Sequence, residues 1–192
     1  EGALPPTVKW TEGPVPLWDG RLMFSDTILA KIFIWSPRGF LEEFLTNAGD
    51  APKGDGVDRA EPGSNGLAVF DNNEILACQH GRRRLVKIDI TSKARRVVAA
   101  VAPGGKRLNG PNDVALSADK KSAYFTDAVY AFLDNDRFAD LPYLDELVKS
   151  NGTGATAVWR AALEAPPSVN RRNGEHLELV TDALSRPNGV AL

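Results

Sequence analysis

The strongest constraint on the fold of this chain is a short motif that recurs at the start of apolar segments. Each copy places a Glu or Asn and a turn-forming residue directly before a strand-like run. The copies are Glu12-Gly13-Pro14-Val15, Asn65-Gly66-Leu67-Ala68-Val69-Phe70, Asn112-Asp113-Val114-Ala115-Leu116 and Asn188-Gly189-Val190-Ala191-Leu192. A repeat of about 40–50 residues filled with short strands is typical of a β-propeller, whose blades are four-stranded sheets. The sequence therefore predicts an all-β propeller.

The same motif predicts where function is located. In a radial array the inner strand of every blade begins at the same end of the central channel. One polar residue from each copy should therefore converge on the axis. These residues are Glu12, Asn65, Asn112 and Asn188.

The length of the chain limits how much of a propeller it holds. Six blades of ~40–45 residues need about 240–270 residues, and this chain has 192. We expect three blades plus the first strand of a fourth, with residues 1–192 forming a single partial domain of a six-bladed parent. The chain starts at Glu1 without a Met and stops at Leu192 inside an expected strand, which is what a fragment would show.

Strand-length runs separated by hairpin-length gaps fill the space between the motif copies. They are Arg21–Asp26, Lys31–Trp35, Gly39–Leu45, Glu74–Cys78, Arg84–Ile90, Ala94–Ala100, Ala123–Asp127, Ala157–Arg160 and His176–Val180. An insertion at about 130–157 interrupts the third blade. Within it, Asp140-Leu141-Pro142 predicts a helix N-terminus, and Leu141, Leu144, Leu147 and Val148 share one helical face. The sequence leaves open whether this insertion is a lid over the pocket or a solvent-exposed loop.

Composition excludes some functional classes. Hydrophobic residues make up 43% of the chain, and no apolar run approaches the ~20 residues that span a bilayer. The net charge is −2 and basic residues are scattered among acidic ones, which argues against a nucleic-acid partner. A single cysteine, Cys78, is expected to be a buried thiol. We expect a soluble protein, whether cytoplasmic or secreted, and the sequence leaves its compartment and oligomeric state open.

The converging residues are one carboxylate and three carboxamides. Their hard oxygen donors suit Ca²⁺, with Mg²⁺ as the second choice because it demands a stricter octahedron. The alternative is that each Asn only caps a tight turn, since Asn bonds to its own backbone and tolerates positive φ. Recurrence at one point of the blade, beside Glu12, favours the metal site.

Other catalytic arrangements find little support. His80 and His176 lie in different blades, and the chain has neither a Gly-x-Ser-x-Gly elbow nor a zinc-type Cys/His cluster. His80 is interpreted either as a structural histidine or as a pocket residue that binds or carries a proton. Asp26 and Asp127 each end a second strand and are expected to bond neighbouring backbone amides. A role for Asp127 toward substrate stays open.

Several of these segments together resemble a known family. They are Trp10-Thr11-Glu12-Gly13-Pro14, Arg21-Leu22-Met23-Phe24-Ser25-Asp26, Cys78-Gln79-His80-Gly81, Arg107-Leu108-Asn109-Gly110-Pro111-Asn112-Asp113-Val114, Tyr124-Phe125-Thr126-Asp127 and Ser185-Arg186-Pro187-Asn188-Gly189. The chain resembles the SMP-30/gluconolactonase/luciferin-regenerating family of six-bladed propeller lactonases. The resemblance covers nearly the whole chain except the insertion.

The resemblance implies roles for individual residues. Glu12 and Asn188 correspond to direct ligands of a catalytic divalent metal, usually Ca²⁺, with Mg²⁺, Mn²⁺ or Zn²⁺ as alternatives. Asn112 corresponds to an Asn that faces both metal and substrate. Three further residues correspond to substrate-pocket positions: Asn65, His80 and Asn109. The family's remaining metal ligand, an Asp that is the expected general base, would lie beyond Leu192, so this chain alone is expected to lack a complete site.

We therefore expect metal-dependent hydrolysis of a sugar-acid lactone by the full-length parent, with a small-molecule lactone as its partner. Two alternatives remain at this point. One is a metal-free enzyme similar to the strictosidine-synthase-like propellers. The other is a non-catalytic binding scaffold whose Asn residues only cap turns.

Overall fold

A computed structural model describes residues 7–52, 60–132, 145–146, 148–150, 152–165 and 169–192. Its regular structure is almost entirely β. Three four-stranded antiparallel sheets follow one another along the chain, each with its strands in sequence order. This is the blade arrangement that the repeat predicts.

The strands agree closely with the apolar runs of the sequence. The first blade consists of β1 (Thr11–Pro16), β2 (Leu22–Asp26), β3 (Lys31–Trp35) and β4 (Leu41–Thr46). The second consists of β5 (Ser64–Val69), β6 (Glu74–Gln79), β7 (Arg84–Asp89) and β8 (Arg95–Ala99). The third consists of β9 (Pro111–Leu116), β10 (Ser122–Asp127), β11 (Ala157–Ala162) and β12 (Leu177–Thr181).

The middle blade is buried on both faces because it packs between the other two. One apolar cluster joins the first and second blades and contains Met23, Ile32, Ile75 and Val86. A second cluster joins the second and third blades and contains Leu76, Leu85, Phe125 and Trp159. Cys78 is fully buried in this second cluster, as the sequence predicts, and burial raises the pKa of its thiol well above the usual range.

The inner strands lie side by side, since β1 contacts β5 and β5 contacts β9. Glycine in the motif makes this possible. A Cβ on Gly13, whose φ is +55°, would lie 2.6 Å from the Asn65 carbonyl oxygen. A Cβ on Gly66 would lie 2.5 Å from the Cα of Asp113. The motif glycine, which suits a turn, thus also lets neighbouring blades approach each other at the axis.

The fourth motif copy does not form a strand of its own. Residues 188–192 have no strand pairing, because the described residues include no second strand of a fourth blade to pair with them. Instead the segment is hydrogen-bonded to the third blade. Asn188 accepts a bond at its carbonyl oxygen from Thr126 Oγ1 at 2.6 Å, and Val190 donates its N–H to Asp113 Oδ2 at 2.9 Å.

The insertion leaves the third blade between β10 and β11. It begins with a 3₁₀ turn, Tyr130–Phe132, and residues 145–146 and 148–150 are helical. Val148 is buried against Val129, which agrees with an apolar helix face directed inward. The other predicted members of that helix, Asp140, Leu141, Pro142, Leu144 and Leu147, lie outside the described residues. In the part of the chain that is described, no helix has the length and apolar character needed to cross a membrane.

Candidate functional site

A cavity of about 350 Å³ opens where the inner strands meet at the axis. Residues from all four motif copies line it. They are Glu12, Gly13, Pro14, Asn65, Leu67, Asp113, Val114, Asn188, Gly189 and Val190. Three of the four residues expected to converge, Glu12, Asn65 and Asn188, therefore share one cavity despite their wide separation in sequence.

Each inner strand is irregular where it carries the motif. The antiparallel register shifts between Glu12 and Val15, between Ser64 and Leu67, and in the third blade between the residues that pair with Phe125 and Asp127. Such a bulge places one extra residue in the inner strand and redirects its side chains. Glu12, Asn65 and, in the third blade, Asp113 line the cavity at these bulges, while the strands continue beyond them in regular pairing.

Asn112 is placed differently from its three counterparts. It does not line the cavity, and its side chain is almost fully buried, at 1% exposure. Its Oδ1 atom has no hydrogen-bond partner among the described residues. A buried amide oxygen without a partner is uncommon in folded proteins because it loses its bond to water without a replacement. Such an oxygen is available to a ligand.

Asp113 is a cavity residue that the sequence interpretation treated only as a turn former. It occupies the position that Gly13, Gly66 and Gly189 hold in the other copies. Its carboxylate enters the cavity and accepts the N–H of Val190, which ties the fourth motif copy to the third. The sequence does carry a signal for Asp113, because an Asp stands where the other three motif copies have Gly.

The oxygen atoms of the cavity fit a hard cation. Glu12 supplies a carboxylate, although its Oε1 also accepts a hydrogen bond from Trp10 Nε1 at 3.0 Å. Asn188 directs its Nδ2 toward the hydroxyl of Tyr130 at 3.4 Å, which leaves its Oδ1 free of that contact. Among the described residues, no three His, Cys, Asp or Glu side chains cluster in a way that could hold a metal. The expected ligand set is mostly carboxamide, with Glu12 as its single carboxylate within this chain.

Asn109 uses its whole amide to hold the insertion. Its Nδ2 donates to Thr153 Oγ1 at 3.0 Å and to the Ala155 carbonyl at 2.8 Å, and its Oδ1 accepts the Thr153 N–H at 3.1 Å. The side chain is fully buried. In this conformation Asn109 joins the loop before β9 to the insertion.

The two strand-ending aspartates have the structural task that their positions suggest. Asp26 accepts the backbone N–H groups of Lys9 and Leu29. Asp127 accepts those of Asn109 and Gly110 at 3.0 and 2.7 Å. Burial raises the pKa of Asp127 to about 7, against the opposing effect of these two bonds. Asp127 therefore supports the backbone of the Asn109 loop.

His80 follows the last residue of β6 and is fully buried. Its Nδ1 lies 3.1 Å from Glu61 Oε2, although the angle is not that of a well-formed hydrogen bond. Its ring stacks on Tyr130, with centroids 6.5 Å apart and planes inclined by 17°. Sequence reasoning missed both neighbours, because Glu61 lies outside the repeat and Tyr130 belongs to the insertion.

The described parts of the insertion contact three residues that were expected at the site. The Tyr130 ring lies 6.5 Å from that of His80, the Tyr130 hydroxyl lies 3.4 Å from Asn188 Nδ2, and the segment at Thr153 is bonded to Asn109. None of the described insertion residues lines the cavity itself. The lid and the solvent-exposed loop both stay predictions.

Comparison with known proteins agrees with this architecture, although no family model matches the chain. The chain is 32% identical over 186 residues to a gluconolactonase of Zymomonas mobilis, and the match covers 96% of this chain and 46% of that protein. The chain thus spans about half the length of the curated relative.

Two solved structures share the fold. A gluconolactonase from Xanthomonas campestris, described as important in glucose secondary metabolic pathways, matches with a TM-score of 0.63 at 22% identity and covers 91% of this chain and 48% of its own. A presumed gluconolactonase also matches with a TM-score of 0.63, at 26% identity, over 95% of this chain and 52% of its own. With the three consecutive blades and the gluconolactonase homology, the chain belongs to the SMP-30/gluconolactonase family of β-propeller proteins.

Proposed function

We propose that the whole protein hydrolyses the lactone ring of a sugar acid, in a reaction that depends on a bound divalent cation. The observation that carries this proposal is the shared cavity of Glu12, Asn65 and Asn188 in a homologue of gluconolactonase. A cavity lined by oxygen donors, in a family of lactonases, supports a cation and a polar cyclic ester in the same place.

Glu12, Asn112 and Asn188 are the residues proposed to hold the cation. Ca²⁺ is the first choice because it accepts 6–8 oxygens in an irregular arrangement. Mg²⁺, Mn²⁺ and Zn²⁺ are the alternatives. The unpartnered Oδ1 of Asn112 supports its inclusion, since a ligand would satisfy that buried atom. When bound, such a cation supplies a Lewis acid that polarises a carbonyl group.

The remaining polar residues are proposed to bind and orient the substrate. Asn65 is 5% exposed and lines the cavity, so its amide can bond the hydroxyl groups of a sugar acid. Asn109, expected from the family resemblance to contact substrate, would do so only by giving up its bonds to Thr153 and Ala155.

Metal titration tests this proposal. Ca²⁺, Mg²⁺, Mn²⁺ and Zn²⁺ are added in turn while the melting temperature and the hydrolysis of an aldonolactone are recorded. A ligand that binds only the folded state raises the melting temperature, so we expect a concentration-dependent rise with at least one cation. Glu12→Gln should weaken this rise, whereas Glu43→Gln, an exposed change on β4, should leave it intact.

The outcomes separate the alternatives. A melting temperature that responds to none of the four cations would favour a metal-free propeller enzyme or a binding scaffold. Binding of a cation without lactone turnover would favour the scaffold. If full-length protein is inert toward aldonolactones and Glu12→Gln titrates as wild type does, the proposed function is wrong.

A further inference from the structure

Thr126 is a buried residue whose hydroxyl joins the third blade to the fourth motif copy. It is the last residue but one of β10 and is 1% exposed. Its Oγ1 accepts the backbone N–H of Asp113 at 3.0 Å. Its single hydroxyl proton is directed at the carbonyl oxygen of Asn188, 2.6 Å away. Thr126 therefore bonds both to the inner strand of its own blade and to the segment that carries a proposed cation ligand.

The bulge of the third inner strand explains the first of these bonds. The register of β10 against β9 shifts between Phe125 and Asp127, so Thr126 faces the irregular part of β9. A bulge leaves a residue of the inner strand out of the ladder. The N–H of Asp113 is accordingly bonded to the Thr126 side chain. The hydroxyl thus replaces a backbone partner at the point where the inner strand reaches the cavity.

Asp113 makes a second bond to the same segment. Its Oδ2 accepts the N–H of Val190 at 2.9 Å. The carbonyl group of Asn188 and the N–H of Val190 are therefore both held by side chains of the third blade. Among the described residues, 188–192 have no strand pairing that could hold them instead.

The first blade has a hydroxyl at the equivalent place. The segments Phe24-Ser25-Asp26 and Phe125-Thr126-Asp127 end the second strands of their blades. Ser25 Oγ lies 2.9 Å from Ser64 Oγ, and both residues are fully buried. Ser64 begins β5 and directly precedes Asn65. In both blades the hydroxyl thus reaches the next motif copy close to its polar residue, which indicates a role between blades.

We propose that Thr126, together with Asp113, sets the affinity of the site for its cation by holding Asn188 in place. The proposal rests on the proposed function, in which Asn188 is a cation ligand. A segment that becomes ordered only on binding loses conformational freedom at that moment, and this loss lowers affinity. The bonds to the third blade order the segment beforehand. Thr126 does not line the cavity, so it is a positioning residue that acts through Asn188.

A matched pair of substitutions separates the hydroxyl of Thr126 from its packing. Thr126→Val removes the hydroxyl and keeps the branched shape, whereas Thr126→Ser keeps the hydroxyl and removes the methyl group. Isothermal titration calorimetry on full-length protein gives the Kd of Ca²⁺, or of whichever of Mg²⁺, Mn²⁺ and Zn²⁺ the wild type binds. We expect Thr126→Val to raise this Kd by about 10- to 100-fold, the usual effect of losing a bond that orients a metal ligand. Thr126→Ser should bind the cation nearly as wild type does.

Ser117→Ala is the control for losing a hydroxyl from the same pair of strands. Ser117 follows β9, and its Oγ accepts the N–H of Ser122 at 3.0 Å, at the opposite end of β10 from Thr126. This variant should leave the Kd of the cation unchanged. A Kd raised as much in Ser117→Ala as in Thr126→Val would overturn the proposal, because any weakening of the blade would then have the same effect.

Hydrogen exchange of the wild type supplies a test that does not depend on the folding of Thr126→Val. By linkage, if these bonds strengthen cation binding, the cation must strengthen the bonds. Saturating cation should therefore slow exchange at the amides of Asp113 and Val190 more than at Ser122. Mass spectrometry of peptides that contain these residues measures the difference. Equal slowing at all three amides overturns the proposal.

The results distinguish this proposal from the function on which it rests. A wild type that neither binds a cation nor hydrolyses an aldonolactone overturns both. If the wild type does both and the Kd is unchanged in Thr126→Val, only the positioning role is wrong. Equal weakening in Thr126→Val and Thr126→Ser also overturns that role, because packing would then be the cause. Weakening in Thr126→Val alone supports it, even in a protein whose lack of lactone hydrolysis overturns the proposed function.

Discussion

The second and third blades have the same strands in the same order, yet they use their polar side chains near the cavity differently. In the third blade, Asp113 and Asp127 accept backbone N–H groups and Asn109 bonds through its whole amide. In the second blade, Asn65 forms no side-chain hydrogen bond with any described residue, and Nε2 of His80 has no partner. A satisfied polar group stabilises a fold, whereas an unsatisfied one is available to a ligand. The third blade thus supplies much of the support, with the unpartnered Oδ1 of Asn112 as its exception, and the second blade supplies free groups.

The largest expected effect concerns the contact between these two blades. Gly66→Ala would place a Cβ 2.5 Å from the Cα of Asp113, so the inner strands must separate. Overpacking of this kind costs about 1–3 kcal/mol or more. In Gly189→Ala, the equivalent position of the fourth copy, the Cβ meets Asp113 Oδ2 at an ordinary 3.8 Å. Urea denaturation should show a clear decrease in the free energy of unfolding for Gly66→Ala. For Gly189→Ala that free energy should change by no more than about 0.5 kcal/mol. Equal losses would show that close approach at Gly66 is not what holds the blades in register.

The second test compares two asparagines of the pocket. Asn109→Ala removes the bonds to Thr153 and Ala155 and leaves buried donors and acceptors unpaired, at a cost of about 1–3 kcal/mol. It should also make the insertion more sensitive to limited proteolysis. Asn65→Ala should leave the free energy of unfolding nearly unchanged, because its amide bonds to no described residue, and should weaken lactone binding instead. A destabilised Asn65→Ala variant would contradict the division between the blades.

The most specific effect, at most about 1.4 kcal/mol for each pH unit, is the pH dependence of stability due to Asp127. Its pKa is about 7 in the folded protein, above the ~4 of an unfolded chain. Between these values the folded state binds more protons, so this group's contribution to stability is full below about pH 4 and is lost as the pH rises to about 7. The free energy of unfolding, measured with urea between pH 5 and 8, should therefore fall more steeply with pH in wild type than in Asp127→Asn. Parallel profiles would mean that Asp127 is already ionised at pH 5.

Much of the fold could be predicted because it depends on local patterns. The motif copies mark the inner strands, and alternating apolar residues with hairpin-length gaps mark the others. Asp26 and Asp127 could be assigned to backbone support because each ends a second strand. The fourth motif copy shows the limit of such a pattern. A strand requires a neighbour to pair with, so the motif at Asn188 remains an extended segment bonded to the third blade.

The site was less predictable where its contacts join distant segments. Glu61 is not part of the repeated motif, and only the packing of its loop places it next to His80. Tyr130 belongs to an insertion that is joined to the blade by bonds between Thr153 and Asn109. Asp113 could have been found from the broken Gly pattern. Its carboxylate has room in the cavity because its neighbour Gly66 lacks a side chain.

The sequence by itself determined the blades, the order of their strands and the polar residue at the head of each inner strand, because periodicity and turn chemistry act over a few residues. Only the tertiary structure decided that Glu12, Asn65 and Asn188 share a cavity while Asn112 is buried beside it. Only it decided that His80 lies 3.1 Å from Glu61 and has Tyr130 as its aromatic neighbour. The physical reason is that burial and the loss of hydrogen-bond partners arise when sheets pack together, and no single segment carries that information.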